Sequence, residues 1–151
     1  MRTEAGLPLY GQELAGPLSL NPADAGFSSY VKLYQPFFVG KSAFIASEQR
    51  RDAKIVRFRS PQRGMRPAHG GDPLVDARGR VVGNVTSCSV MPDGHYLGLA
   101  FVKQDAAKVG STLGVIAGSG RAKSQSLQDL RPGTRLTIPQ PVEILRRFPA
   151  R

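Results

Sequence analysis

Residues 71–94, GDPLVDARGRVVGNVTSCSVMPDG, with HYLGLAFV following at 95–102, decide the fold of this chain. Two short apolar runs, Leu74 to Asp76 and Val81 to Thr86, flank the tetrapeptide ARGR, whose Gly79 can take the positive φ of a hairpin turn. Met91-Pro92-Asp93-Gly94 is a second turn signal, with Pro at its second position and Gly at its fourth. In the run after it, Leu97, Leu99 and Phe101 alternate with Gly98, Ala100 and Val102. Both faces are apolar, so this strand is expected to be central and buried.

The same grammar extends outward. Upstream, Val56 and Phe58 alternate with Arg57 and Arg59, the period-two pattern of a half-buried strand, and residues 61–71 form a Gly/Pro loop. Downstream, Leu113 to Ala117, Thr134 to Ile138 and Val142 to Phe148 complete the strands, with a polar surface loop at 119–129. Short strands at close spacing with turn signals predict a mainly β fold, a small antiparallel Greek-key-like barrel. Before residue 50 the pattern is irregular α+β. Residues 1–20 read as loop and short turns, and Asn21-Pro22-Ala23-Asp24 as the start of a short helix ended by Gly26. Phe27 to Leu33 is apolar enough for a strand or packed segment. AFIASEQRR at 43–51 predicts a short helix with Phe44 and Ile45 on one side.

Composition sets the outer limits. An apolar fraction of 40% is adequate for a core, and no run approaches the roughly 20 apolar residues of a membrane span. The opening MRTEAG lacks the apolar region of a secretory signal. A single cysteine, Cys88, rules out an intramolecular disulfide, so a reducing compartment, the cytoplasm, is the expected location. On a buried strand Cys88 reads as a small hydrophobe. No Cys or second His stands at metal-ligand spacing to His69 or His95, so no metal site is expected. The glycines at 110–120 lack the spacing and the Lys-Ser/Thr ending of a phosphate loop. The formal charge is +10, with Arg50, Arg51, Lys54, Arg57, Arg59, Arg63 and Arg66 in one block and Arg146, Arg147 and Arg151 at the end. Such a field attracts anions, although a solvated face accounts for most of these residues. Single-strand nucleic-acid binders place aromatic platforms among their cations, and the block has only Phe58, which the alternation turns inward. Nucleic-acid binding therefore ranks last.

Three stretches, EAGLPLYGQEL (Glu4 to Leu14), VKLYQPFFVGKSAF (Val31 to Phe44) and residues 71–94, together resemble the C-terminal half of the glycine cleavage system T-protein family. These are tetrahydrofolate-dependent aminomethyltransferases, with relatives that move methyl groups. The likeness runs from the start to about Gly118 and resumes at IPQPVEILRRFP (Ile138 to Pro149). It implies that residues 1–50 are the tail of a folate-binding body and residues 51–151 the C-terminal barrel. Glu4 matches the family glutamate that hydrogen-bonds the pterin, because a carboxylate can accept two parallel bonds from the aminopyrimidine edge. The plain alternative is an exposed carboxylate in a frayed terminus. Arg66 and His69, in MRPAHGGDP, are candidates for lining the folate cleft, with ordinary loop polarity the favoured alternative.

Three departures from the family stand out. Its catalytic aspartate has no counterpart here and would lie upstream, so the resemblance assigns these residues no catalytic group. A family arginine near the folate aligns with Tyr34 or Gln35, and Lys32 is a poor substitute for a guanidinium fork. The family's VTSG reads VTSC, with Cys88 for Gly. The implied partners are a folate-binding N-terminal portion or a separate subunit, and a lipoyl carrier protein as donor. Acting alone, the chain is expected to be inactive and to bind folate weakly. An accessory or split-subunit barrel docking on a separate folate-binding chain is the alternative.

Overall fold

The alternation at Val56 and Phe58 proves to be that of a closed barrel. The computed structural model describes residues 2–15, 18–118 and 139–149. Among these residues, β1 (Ala53–Arg59), β2 (Pro73–Val75), β3 (Val81–Val90), β4 (Tyr96–Lys103), β5 (Thr112–Val115) and β6 (Gln140–Leu145) are joined in the order β1-β4-β3-β2-β5-β6. Every pairing is antiparallel, and β6 returns to β1 through Arg57↔Leu145 and Arg59↔Glu143. Consecutive β2, β3 and β4 form a meander, flanked by β5 beside β2 and by β1 beside β4, which is Greek-key wiring.

Both turns read from the sequence form. Asp76 Oδ1 accepts from the amides of Arg78 (2.8 Å) and Arg80 (3.0 Å), closing the β2–β3 hairpin. The Gly94 amide donates to Met91 O at 3.0 Å in the β3–β4 turn. The inward residues Val56, Phe58, Leu74, Val85, Tyr96, Val102, Val115, Val142 and Ile144 build one core. Phe58 lies edge-on to Tyr96 with ring centroids 6.2 Å apart, an arrangement worth roughly 0.5–1.5 kcal/mol beyond burial. Gly98 sits opposite Phe58 because a Cβ there would fall 2.2 Å from Phe58 Cζ.

Outside the barrel, Ile55 and Leu99 are covered by Leu20 and packed against Leu14 and Phe101. This second apolar cluster explains why β4 is apolar on both faces: one face lines the core and the other seats the N-terminal segment. That segment contains a one-turn helix, α1 (Arg2–Ala5), and a π-helical turn, Tyr10–Leu14. Asn21 caps as expected, its Oδ1 accepting from the amides of Ala23 (2.7 Å) and Asp24 (2.9 Å), but only a turn follows. Distant residues hold that turn. Asp24 O accepts from the Ile55 amide at 2.8 Å, Ala23 O from Arg51 Nη1 at 2.9 Å, and Ala25 O from Arg147 Nη2 at 3.1 Å.

Residues 27–33 hold a short 3-10 turn, Ser28–Tyr30, and no strand. Among the described residues every strand is paired on both sides in the closed barrel, and Tyr30 is left 77% exposed. The helix α2 (Lys41–Arg50) buries Phe44 but leaves Ile45 exposed, so the two do not share a packed side as expected. The expected strand at 134–138 and loop at 119–129 lie outside the described residues. No helix among the described residues is long and apolar enough to cross a membrane.

Candidate functional site

Glu4 lies on α1, exposed, and borders a depression of about 480 Å3 shared with Arg57, Arg59, Asp93, Leu97 and Leu145. Its carbonyl oxygen accepts from Arg57 Nη1 at 2.5 Å, which ties α1 to the barrel. On the far rim Arg59 Nη2 is 2.6 Å from Asp93 Oδ2. The His95 amide, and then the neighbouring Arg59, hold the Asp93 carboxyl below the ordinary carboxylate range. A carboxylate beside leucine side chains and cations can meet the donor edge of a heteroaromatic ring, so the residues present fit a pterin.

Beneath α1 lies a charged cluster that sequence reasoning missed. Glu13 is fully buried, with one carboxylate oxygen accepting from the Leu9 amide at 2.7 Å and the other 3.7 Å from Arg2 Nη1. Arg147 runs beside it, 5.2 Å from the Phe148 ring centroid. Burial pushes the Arg147 guanidinium down to about 10, Glu13 opposes that fall and Arg57 adds to it. Burial also lowers Arg57. Both arginines are half-buried, so the solvated face expected of the basic residues does not fully describe them. The only sequence signal was Glu13 itself, standing inside the quoted EAGLPLYGQEL run.

Arg66 and His69 gather elsewhere, around the buried carboxylate of Asp72. Asp72 Oδ2 accepts from the His69 amide at 2.8 Å, and both oxygens lie 3.1 Å from the Gly118 amide. The Arg66 guanidinium lies over Gly118, where a Cβ would come 2.8 Å from its Nη2. Both side chains are exposed, and neither lines the depression at Glu4. Their neighbours Gly70 and Gly71 border a separate cleft of about 700 Å3 with Leu18, Val81, Asn84 and Phe101. Lys32, Tyr34 and Gln35 occupy an exposed loop, its carbonyl at Gln35 bonded by Lys41 Nζ at 2.6 Å. Cys88 packs on the barrel core, and burial pushes its thiol up. Among the described residues no cluster of three His, Cys, Asp or Glu could hold a metal ion.

Several large apolar side chains of the N-terminal residues stand exposed. Tyr10 (73%), Tyr30 (77%), Tyr34 (76%), Phe37 (80%) and Val39 (92%) are all largely exposed. Single exposed hydrophobics need no explanation, and five with exposures above 70% between residues 10 and 39 exceed that expectation.

No family model matches the chain. Among curated proteins it is 42% identical over 118 residues to an aminomethyltransferase of Saccharopolyspora erythraea, covering 76% of this chain and 31% of that protein. It is 34% identical over 132 residues to an aminomethyltransferase of Desulfitobacterium hafniense, covering 86% of this chain and 35% of that protein. The chain thus spans about a third of the length of the curated relatives it matches. The crystal structure of glycine cleavage system aminomethyltransferase T from Bartonella henselae superposes with a TM-score of 0.71 over 95% of this chain and 35% of that one, at 23% identity, a likeness of fold. Over most of its length this chain is thus a homologue of the aminomethyltransferases, matching about one third of their length, and its barrel has the fold of a glycine cleavage T-protein.

Proposed function

We propose that this chain is the C-terminal part of a tetrahydrofolate-dependent aminomethyltransferase or methyltransferase, residues 1–50 completing a folate-binding body and residues 51–151 forming its C-terminal barrel. The observation that carries this reading is the exposure of the large apolar side chains Tyr10, Tyr30, Tyr34, Phe37 and Val39 on a chain that spans about a third of its relatives' length. The folate-binding body covers those side chains, whether it stands upstream in the same polypeptide or in a separate chain. Tetrahydrofolate, when bound, supplies the nitrogen that receives the one-carbon group. Glu4 accepts two bonds from the aminopyrimidine edge and fixes the ring's orientation. The catalytic aspartate belongs to the folate-binding body, and a lipoyl arm of a carrier protein brings the donor in glycine cleavage. A cytoplasmic setting follows from that role.

The test uses the part of the Saccharopolyspora erythraea relative that this chain does not match, made as a separate polypeptide. Mixed with this chain, it is expected to form a complex that transfers an aminomethyl group to tetrahydrofolate, each part alone being inactive. Absence of any complex would remove the proposal, and turnover by this chain alone would remove its claim of inactivity. Retention on DNA that disappears with added salt and ignores sequence would show charge attraction only.

A further inference from the structure

We propose that Arg57 on β1 and Arg147 just beyond β6 are positioning residues that hold the first turn of the chain and so set the aim of the Glu4 carboxylate. The functional half of this inference rests on Glu4 being a folate ligand, whereas the clasp itself rests on geometry alone. Arg57 Nη1 bonds the Glu4 carbonyl directly, at 2.5 Å. Arg147 holds the other end of the turn. Gly6 has φ +73°, and a Cβ on it would lie 2.2 Å from the Arg147 carbonyl oxygen and 3.1 Å from Arg147 Nη1. The Glu-Ala-Gly sequence therefore ends in glycine because the chain leaving β6 passes directly against it.

Arg147 also donates to Ala25 O from Nε (3.4 Å) and Nη2 (3.1 Å), so one side chain joins the first turn to the turn at 21–26. Glu13 is the buried counter-charge, and Arg2 on the first turn reaches it from the other side. Stability alone does not account for this cluster. Glu13 Oε1, Arg57 Nε and Arg147 Nη1 are buried and find no hydrogen-bond partner among the described residues. Burial also works against the Arg147 charge. Apolar side chains of like volume commonly serve such a place better, whereas charges fix one arrangement. What the cluster fixes here is the direction in which α1 presents Glu4.

The experiment pairs amide hydrogen exchange with tetrahydrofolate titration on the full chain. Gly6 and Leu7 donate to Thr3 O and Arg2 O, both at 3.1 Å, and their exchange reports the turn. Arg57→Leu and Arg147→Met are expected to speed it by about tenfold while the barrel amides of Val85 and Ile116 stay unchanged. Arg57→Lys is expected to restore part of the protection. In titration, Glu4→Ala and Arg57→Leu should each weaken binding, and the double variant should bind no worse than Glu4→Ala alone. Unchanged exchange at Gly6 and Leu7, or fully additive losses in the double variant, would overturn the proposal. Faster exchange with identical folate affinity in every variant would uphold the clasp and dismiss Glu4 as a folate ligand. Should Arg147→Met fail to fold, Arg57→Leu decides the matter by itself.

Discussion

Replacing Phe37 by serine puts the docking surface to the test at its most exposed aromatic. The side chain is 80% exposed, so of the roughly 200 Å2 a phenylalanine can bury, about 160 Å2 remains available to a partner. At ~25 cal/mol per Å2, complete covering is worth at most about 4 kcal/mol. Ordering of the loop and incomplete contact reduce that, and truncating a central aromatic at an interface commonly costs ~2 kcal/mol or more. The expected loss is therefore about 2–3 kcal/mol, a roughly 30- to 150-fold weaker complex. The same side chain contributes little to the chain's own core, so the free energy of unfolding should change by no more than about 0.5 kcal/mol. Calorimetric titration against the unmatched portion of the Saccharopolyspora erythraea relative gives the first number, and urea unfolding of the free chain the second. Binding within threefold of the unsubstituted chain would refute Phe37 as part of the covered surface. A large loss of stability in the free chain would refute the claim that the residue is idle there.

Gly98→Ala should destabilise the barrel by ~1–3 kcal/mol, since the new methyl meets three Phe58 ring carbons between 2.2 and 2.9 Å; thermal unfolding measures this, and Phe58→Leu in the same chain should recover part of it. Tyr96→Phe should be neutral or stabilising at pH 7, because the buried hydroxyl finds no partner among the described residues. Burial pushes Tyr96 up to about 12 from its ordinary 10, so between these values the unfolded chain has lost a proton that the folded one keeps. Stability attributable to Tyr96 then falls as pH rises from 10 to 12, and the Phe variant should gain on the parent by up to ~2 kcal/mol across that window in urea titrations. Arg147 acts in the opposite sense: burial lowers its folded value to about 10, below that of the unfolded chain, so its burial cost is present below pH 10 and is relieved above it. Arg147→Met should accordingly show its smallest advantage, or greatest deficit, above pH 10. Cys88, its thiol raised by burial, should react slowly with a disulfide reagent in the native chain and at the ordinary rate in urea.

Much of the barrel was legible because its signals are local. Turn chemistry at Asp76–Arg80 and Met91–Gly94 is written in adjacent residues, and Val56 and Phe58 announce a face by period alone. The apolar outer face of β4 was legible only as burial. That Leu14 and Leu20 cover it depends on chain far from it in sequence. Residues 27–33 misled for the converse reason: an apolar run became exposed turn because nothing among the described residues pairs with it. Of the site, Glu4 was reached through resemblance, whereas Glu13, Asp72 and Arg147 carry no local signature of burial. A carboxylate that will be enclosed and one that will be solvated look alike until their distant neighbours are known. Arg66 and His69 are candidates through resemblance alone, and their grouping around Asp72 and Gly118 depends on contacts across 46 residues that no local pattern announces.

The bond from Arg147 to Ala25 spans 122 residues, and it governs how this chain can acquire its shape during synthesis. At roughly 5–20 residues per second, a ribosome needs about 6–25 s between making one partner and the other. Over that interval the turn at 21–26 lacks its anchor at Ala25 and is held through Asp24 and Ala23, by Ile55 and Arg51. Non-local closure of this kind slows folding and prolongs exposure to misassociation. The partner body proposed above, by covering residues 30–37, would shorten that exposure as the chain emerges.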